Sequence, residues 1–403
     1  MASPAPEPAV LRVATLNVWA LPARLSPQIP ARMRAIGDRL PHLDLDVIAF
    51  QEVWTNEAQR TLVDAGHRAG LVHGWHNDAS FGNSGLLVLS RLPIVGIRFE
   101  AYAIRGAPER LTHVDFLGGK GFAEVRIETA IGPVTIVDTH LQAGYPVDVR
   151  HSYRAQRVGQ IVQLAVRLRE IREPIIALGD FNFEDTSPEY EVLSGLTGLV
   201  DAGKSVGGLR PTLSPENPYR VDRPERRRID LIYLRDAGSL RVRARSVALA
   251  FDEGFDIDGQ PATYSDHRGV LAELELDTRG AATPSPVDPA ALALAGELLR
   301  DGRVRARERR RAERGRLFLG VSAATVALVA RSRLATRRRF LRASLLGAGL
   351  VAAGPATGLS ILTERLLPDE IEAFEALETE VSGFSGERQE SRAVRPRPVD
   401  APS

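Results

Sequence analysis

Polar side chains with metal-binding chemistry follow two short apolar runs near the start of the sequence. Asn17 follows the run VATL, and Glu52 follows the run VIAFQ. A carboxylate and an amide oxygen suit a hard divalent cation such as Mg²⁺, which proteins commonly hold with one or two carboxylates. Alternatively, Asn17 forms a turn, and Glu52 begins a helix, where an acid suits the positive end of the helix dipole. Each residue alone leaves both interpretations open.

A second polar group follows the apolar run IIAL, in the sequence GDFN. Asp180 and Asn182 alternate with Phe181, so both polar side chains can lie on the same side of an extended segment. One could then position a water or a leaving group while the other donates a hydrogen bond to a phosphoryl oxygen. The alternative is a Gly–Asp turn closed by the Asp side chain.

Two of the eight histidines follow or precede apolar runs and stand close to acids. His140 ends the sequence TIVDTH, and His267 belongs to YSDH, just before GVLAEL. An imidazole can take a proton from attacking water when a carboxylate fixes its tautomer, and Asp230 in RRIDLIYL is a candidate partner for His267. The alternative for each histidine is a hydrogen-bonded residue at a strand edge.

The elements that must position these residues read as an α/β fold. Helical periodicity is clearest over Arg154–Ile171 and is expected to stop before Pro174. If the strands lie side by side, their polar ends meet at one rim, where open α/β folds place sites. Strands are predicted over seven apolar runs, Leu11–Val18, Val47–Phe50, Gly85–Leu89, Val134–Val137, Ile175–Leu178, Ile229–Leu234 and Gly269–Leu276.

The polar motifs occur in an order that resembles a known family. TLN, QE, TH, GDFN, ID and SDH, taken together, resemble the endonuclease/exonuclease/phosphatase family, with its DNase I-like fold, over about Leu11 to Leu276. Within that family the chain is similar to the neutral sphingomyelinases, through TLNVWALP, QEVW, GNSGLLVLSRLPI, GGKG, THLQAGY and RRIDLIYL. The resemblance implies a four-layer α/β sandwich as the catalytic domain, residues 11–277.

The resemblance also implies a chemistry and a substrate class. The expected reaction is hydrolysis of a phospholipid headgroup, a phosphodiester, with Mg²⁺ or alternatively Mn²⁺ as the cofactor. Glu52 would be the principal metal ligand, with Asn17 and Asp266 close to the ion. Asp230 would orient the general base His267. The residues expected to stabilise the transition state, assist the leaving group or bind the phosphate are His140, Asp180, Asn182 and Lys120.

The sequence departs from the sphingomyelinase pattern in two places. Gln142 and Gly144 replace the usual His and Glu of THLHAEY, and Gln156-Arg157 replaces the usual His-Arg. These changes affect the expected substrate-reading surface more than the reaction machinery. Three other functions therefore stay open: a nuclease, an inositol-phosphate phosphatase and an inactive adaptor at the membrane.

Charge and composition narrow these alternatives. Residues 1–280 carry 32 basic and 36 acidic side chains, a net charge of −4, which disfavours a nucleic-acid substrate. The adaptor is disfavoured because every catalytic position of the family pattern is filled. The absence of cysteine excludes thiolate metal sites, disulfides and a Cys nucleophile. Arginine replaces lysine almost throughout, which we interpret as a sign of a bacterial source.

The C-terminal third differs in character. We expect a linker and the start of a stem at 278–299, an arginine-rich helix at 300–316, an apolar membrane anchor at 317–362 and an acidic, partly disordered tail at 363–403. Ala343–Leu362 has twenty residues without a charge, enough for one membrane span. Its arginine-rich flank predicts a membrane-associated protein whose catalytic domain faces the cytoplasm and whose stem binds anionic lipid. The alternatives are a hairpin of two membrane spans and a pair of Ala/Gly-rich helices packed against the main domain.

Overall fold

Two mixed β-sheets, each of six strands, form the centre of the first of two units into which the chain divides. The computed structural model describes residues 8–21, 25–77, 84–106, 119–144, 153–220, 223, 225–279, 285–333 and 358–393. The first unit comprises residues 1–105 and 113–295, and the second comprises 106–112 and 296–403. The strands are β1 (Ala9–Ala20), β2 (Val47–Val53), β3 (His73–His76), β4 (Leu87–Ser90), β5 (Ile94–Ala101), β6 (Gly121–Thr129), β7 (Gly132–His140), β8 (Ile175–Asp180), β9 (Val200–Asp201), β10 (Asp230–Arg235), β11 (Arg241–Ala250), β12 (Phe255–Ile257), β13 (Gln260–Ala262) and β14 (Gly269–Asp277).

The strand order explains how distant parts of the sequence meet. One sheet has the order β11-β14-β1-β2-β4-β3 and the other has the order β5-β6-β7-β8-β10-β9, while β12 and β13 form a separate hairpin. The pairs β1–β2 and β7–β8 are parallel, and the other described pairs are antiparallel. In the second sheet, the register pairs His140 with Asp180 and Asp180 with Asp230.

Apolar side chains form two clusters. One fills the space between the two sheets, and the other covers the outer face of the first sheet. The inter-sheet core includes Val13, Val47, Val125, Ile136 and Ile176, and it takes side chains from both sheets. Helices α1 (Ile29–Arg39) and α2 (Asn56–Arg68) cover the other face of the first sheet through a second cluster. The remaining helices of the first unit are α3 (Arg154–Glu170), α4 (Pro188–Thr197) and α5 (Ala202–Val206). Helices outside two stacked sheets give the expected α/β sandwich.

The seven predicted strands and the predicted helix are all present. The helix α3 ends at Glu170, because Ile171 is already extended, three residues before Pro174. The unpredicted strands β6 and β11 contain charged residues at alternate positions, such as Glu124 and Arg126 in β6. These charges interrupt the apolar runs that served as the strand signal.

The second unit contains two long helices of opposite charge that lie side by side. Its long helices are α6 (Pro289–Arg333) and α7 (Leu367–Ala393). Helix α6 starts in the first unit, and a π-helical turn at Leu362–Leu366 directly precedes α7. The ion pairs show that the helices run antiparallel, since the residue numbers of the acids fall as those of the arginines rise. The pairs are Arg303 with Glu378, Arg307 with Glu375, Arg309 with Glu370 and Arg314 with Glu364. The acidic tail is therefore helical as far as residue 393.

The predicted membrane anchor is described in part. In the ranges that the structure describes, no helix has an apolar stretch long enough to cross a membrane. Residues 334–357, which include most of the predicted span Ala343–Leu362, lie outside the described residues. The described end of α6 carries exposed apolar side chains, with Phe318 72% exposed and Leu319 68% exposed.

Candidate active site

The centre of the candidate site is a row of three buried side chains on neighbouring strands of the second sheet. Asp180 ends β8, between His140 at the end of β7 and Asp230 at the start of β10. All three residues are at most 1% exposed. His140 Nε2 lies 3.4 Å from Asp180 Oδ2. Burial and the neighbouring Asp230 carboxylate raise the pKa of Asp180 to about 6.

The first sheet contributes Asn17 and Glu52 to the same place. Asn17 Nδ2 donates to Glu52 Oε1 at 2.9 Å and to Asp180 Oδ2 at 3.0 Å, so one amide connects carboxylates from both sheets. The Asn17 amide oxygen accepts from the Trp19 backbone N–H at 3.0 Å. Asn17 lies within β1, at a register shift, and Glu52 lies within β2. The helix that follows starts at Asn56, with Thr55 as its cap, so Glu52 does not begin it.

His267 and Asp230 form a hydrogen-bonded pair on one side of Asp180. His267 Nδ1 lies 3.0 Å from Asp230 Oδ2, while Nε2 lies 4.0 Å from both Asp180 Oδ2 and Asp266 Oδ1. Asp230 therefore accepts from Nδ1–H and leaves Nε2 facing the centre of the site. Burial disfavours the protonated imidazole, but the carboxylates of Asp230, Asp266 and Asp180 outweigh it and raise the pKa of His267 to about 10.

Lys120 and His140 form a pair on the opposite side of Asp180. Lys120 Nζ lies 2.7 Å from His140 Nε2, and His140 Nε2 lies 3.8 Å from Glu52 Oε1. Burial, the Lys120 ammonium and His267 lower the pKa of His140 well below its usual value, so this imidazole is neutral. The lysine of GGKG is thus buried beside the acids, although only the family resemblance pointed to it.

The GDFN segment turns sharply at the end of β8. The Asn182 backbone N–H donates to Asp180 Oδ1 at 3.0 Å, as an Asp-closed turn requires, and Asn182 Nδ2 donates to the Leu141 carbonyl at 3.0 Å. The turn interpretation of GDFN is therefore confirmed, and a role of Asp180 and Asn182 in the reaction stays a prediction. Gly179 has φ +141°, and a Cβ there would lie 2.0 Å from the Thr139 carbonyl oxygen, so this position requires glycine.

Three residues of the site have a left-handed backbone although they are not glycine. They are Trp19 at φ 48°, Glu52 at φ 58° and Asn182 at φ 54°. Such conformations cost of order 1–3 kcal/mol each and concentrate at functional sites. Glu52 adopts this conformation one residue before the end of β2.

The donor groups fit a hard divalent cation. Ligand atoms of Glu52, His140 and Asp180 all lie within 4.8 Å of one another, and those of Asp180, Asp230 and His267 do the same. Several buried carboxylates close together repel one another, which is the electrostatic condition that a bound Mg²⁺ relieves. Glu52 and Asp180 supply carboxylate oxygens there, whereas the Asn17 oxygen points to Trp19.

Sequence reasoning missed several buried polar residues behind this site. Gln51 Nε2 donates to Asp138 Oδ1 at 2.7 Å and to Thr15 Oγ1 at 3.1 Å, which links the two sheets. Burial raises the pKa of the Asp138 carboxyl well above its usual value. Asp138 stands two positions before His140 on the same strand face, and this alternation is the signal that could have found it.

Arg32 is a further missed residue, and it holds two segments of the site together. Its buried guanidinium donates to the carbonyls of Val18 at 2.7 Å, Trp19 at 2.8 Å and Tyr264 at 3.1 Å. Val18 and Trp19 directly follow Asn17, and Tyr264 directly precedes the Ser265–His267 segment. Its hydrogen bonds to described residues all go to backbone oxygens, and its guanidinium also lies over the Trp19 ring, which is a structural role.

Comparison with known proteins gives the same fold and family. The "Putative neutral sphingomyelinase" of Drosophila melanogaster is 31% identical over 274 residues, which are 66% of this chain and 61% of that protein. An "Inositol phosphosphingolipids phospholipase C" of Schizosaccharomyces pombe is 29% identical over 203 residues, 49% of this chain and 46% of that protein. The chain thus spans less than two thirds of the length of these relatives. The comparisons give no support for the expected bacterial source.

A solved structure supports the fold at lower identity. A beta toxin variant of Staphylococcus aureus with bound magnesium ions is 16% identical, and it superposes with a TM-score of 0.53 over 66% of this chain and 99% of that chain. This similarity establishes the DNase I-like sandwich. The Endonuclease/Exonuclease/phosphatase family matches residues 14–267, which contain every residue of the candidate active site. The chain belongs to this family.

Proposed function

We propose that this chain is a Mg²⁺-dependent phosphodiesterase that hydrolyses the headgroup of a sphingolipid or related phospholipid. The observation that carries the proposal is the arrangement around Asp180. Its carboxylate lies within 4.0 Å of His140, His267 and Asn17, which come from three separate strands or strand ends. These groups match the requirements of phosphodiester hydrolysis: a base, hydrogen-bond donors and a cation site.

His267 would act as the general base. Asp230 holds Nδ1 and so directs Nε2 to the place where a water would lose its proton. His267 can accept that proton only if the negative charge around it is compensated, because the surrounding carboxylates favour its protonated form. A cation held by Glu52 and Asp266 or Asp180 would provide this compensation, neutralise the phosphate and polarise a phosphoryl oxygen.

Lys120, His140 and Asn182 would stabilise the negative charge that develops on the phosphoryl group. The Lys120 ammonium and the His140 ring are buried side by side, where a charge acts more strongly than it does in water. Asn182 is fixed in place by Leu141. These groups act without a covalent enzyme intermediate.

The sequence relatives favour a sphingolipid as the substrate. The Drosophila relative is named for sphingomyelin, and the S. pombe relative is named for inositol phosphosphingolipids. A nuclease or an inositol-phosphate phosphatase has less support, because residues 1–280 carry a net charge of −4.

A direct assay tests this proposal. Purified protein with Mg²⁺ is offered vesicles of sphingomyelin, phosphatidylcholine or an inositol phosphosphingolipid and, in parallel, plasmid DNA. We expect release of a phosphorylated headgroup from a sphingolipid and no release in EDTA. Cleavage of DNA alone would refute the lipid proposal, and the variant Glu52→Gln controls for a contaminating hydrolase.

We also propose that the second unit attaches the protein to membranes through the apolar end of α6 rather than through its arginines. The arginines at 303, 307, 309 and 314 already contact acids of the second unit. Phe318, Leu319 and Val326 are each at least 68% exposed, as expected for side chains that enter lipid.

Vesicle flotation of the full-length chain tests the attachment. The double variant Phe318→Ser/Leu319→Ser should float with sphingomyelin vesicles less than the unmodified chain does. Leu209→Ser, at a half-exposed apolar position of the first unit, is the matched control and should float normally. Equal flotation of all three proteins would refute this attachment.

A further inference from the structure

Arg220 is a buried arginine without a hydrogen bond from its side chain. Three arginines are buried among the described residues, Arg32, Arg157 and Arg220, with exposures of 0, 3 and 5%. Arg32 donates to backbone carbonyls, and Arg157 donates to Glu189 at 2.8 Å and to the Gln142 carbonyl at 3.2 Å. In the described part of the chain, the Arg220 guanidinium makes no such bond, and its Nε is buried without a hydrogen-bond partner.

The surroundings of Arg220 leave its charge only partly compensated. Arg220 Nη1 lies 3.6 Å from Asp266 Oδ2, which is an ion pair but is longer than a hydrogen bond. A guanidinium has five N–H donors, and leaving them unmade in a buried place costs free energy. A folded protein tolerates that cost where a ligand supplies the acceptors.

The position of Arg220 is fixed relative to the candidate active site. The Arg220 backbone N–H donates to the Asn217 carbonyl at 2.9 Å, and Asn217 Nδ2 donates to the Ser265 carbonyl at 2.8 Å. The segment that carries Arg220 is therefore fastened to the segment that carries Asp266 and His267. Asp266, in contact with Arg220, lies 4.0 Å from His267 Nε2.

We propose that Arg220 binds a phosphoryl oxygen of the substrate, beside Asp266 and His267. Its planar set of donors suits the paired oxygens of a phosphate, which a single ammonium such as Lys120 does not match. The proposal rests on the proposed phosphodiesterase function and adds a phosphate ligand that neither the sequence motifs nor the family match had indicated. Arg220 would be a catalytic residue in contact with the substrate.

Binding of inorganic phosphate to the full-length protein tests this assignment. The variants are Arg220→Met, which keeps the volume and removes the charge, and Arg220→Lys, which keeps the charge without the paired donors. Arg226→Met is the matched control, since Arg226 is exposed on the same segment and contacts Glu216. Calorimetry with Mg²⁺ and again with EDTA gives phosphate affinity without any turnover.

We expect phosphate to bind roughly ten- to a hundredfold more weakly to Arg220→Met, with a smaller loss for Arg220→Lys and none for the control. Without phosphate, Arg220→Met should unfold at a somewhat lower temperature, because it leaves the Asp266 carboxylate without its ion-pair partner. Unchanged phosphate affinity in Arg220→Met, or an unmodified protein that binds no phosphate, would overturn the proposal. A lower unfolding temperature with retained phosphate affinity would assign Arg220 a structural role instead.

The same proteins separate this proposal from the proposed function. If the unmodified chain hydrolyses no lipid but its phosphate binding still depends on Arg220, the anion site stands and the lipid function fails. If the chain hydrolyses a sphingolipid and Arg220→Met changes neither KM nor phosphate affinity, the function stands and the Arg220 assignment fails.

Discussion

Asp180 and Asp230 are register partners on the neighbouring strands β8 and β10, so two buried carboxylates lie side by side at the centre of the site. The two carboxylates contact different side chains. Asp230 pairs with His267 Nδ1, whereas Asp180 accepts from Asn17 and lies near His140. One carboxylate therefore orients the expected base, and the other is available to a cation and to the reacting groups.

The pair of His267 and Asp230 should control the rate of hydrolysis. We expect His267→Ala to lower kcat roughly 10²–10⁴-fold, because no other described side chain takes its place beside Asp230. Asp230→Asn should also lower kcat, since an amide no longer favours the same imidazole tautomer. Initial rates on sphingomyelin vesicles measure both effects. His42→Ala, on the exposed surface, serves as the control, and activity of His267→Ala equal to that of the control would contradict the assignment.

Glu52 should determine metal binding. Glu52→Gln keeps an oxygen that can accept from Asn17 but loses the negative charge, so we expect Mg²⁺ affinity to fall while the fold stays intact. Calorimetric titration of Mg²⁺ measures the affinity, and circular dichroism checks the fold. The exposed acid Glu253, changed to Gln, should bind Mg²⁺ as the unmodified protein does. Equal Mg²⁺ affinity in Glu52→Gln would place the ion elsewhere.

Asp138 should make stability depend on pH. Burial raises the pKa of its carboxyl above the ordinary value of 3.8, so the folded chain keeps the proton while the unfolded chain releases it. The free energy of unfolding therefore falls as the pH rises above about 4, by up to ~1.4 kcal/mol per pH unit, until the pH reaches the folded pKa.

Asp138→Asn removes this titration and keeps the acceptor for Gln51. Relative to the unmodified protein, the variant should gain stability in urea unfolding experiments as the pH rises from about 4 toward the folded pKa of Asp138. Glu57→Gln, at an exposed position of α2, should show no such gain. A constant difference between Asp138→Asn and the unmodified protein at every pH would mean that Asp138 is ionised when folded.

Gly179 should tolerate no side chain. In Gly179→Ala, the Cβ would lie 2.0 Å from the Thr139 carbonyl oxygen, which forces β7 and β8 apart and displaces His140 and Asp180. We expect a loss of at least ~2 kcal/mol in the free energy of unfolding, together with loss of activity. Gly70→Ala separates the two causes, because Gly70 also has a positive φ but has open space around it. A cost for Gly179→Ala no larger than that for Gly70→Ala would contradict the close approach.

Much of the fold and of the site follows from local patterns in the sequence. Apolar runs identified the strands whose side chains are buried on both faces, such as β8. The polar residues at their ends meet because parallel strands bring equivalent ends together, which the register of His140 and Asp180 illustrates. The order of the motifs then indicated the family.

The remaining features depend on partners that are distant in sequence. Arg220 stands in a segment without periodicity, and its burial follows from how Asn217 contacts the Ser265 carbonyl. The sequence predicts a partly disordered acidic tail, and the helical order of α7 depends on the arginines of α6 that lie beside its acidic residues. Neither contact leaves a local pattern, since each joins residues more than 45 positions apart.

The left-handed backbone at Trp19, Glu52 and Asn182 lowers the stability of the folded protein. Glycine at Glu52 or Asn182 would relax the chain and would remove a side chain that has a role in the proposed reaction. Under the proposed function, glycine at these two positions would therefore raise stability and lower activity, so stabilising substitutions that keep activity are expected at other positions.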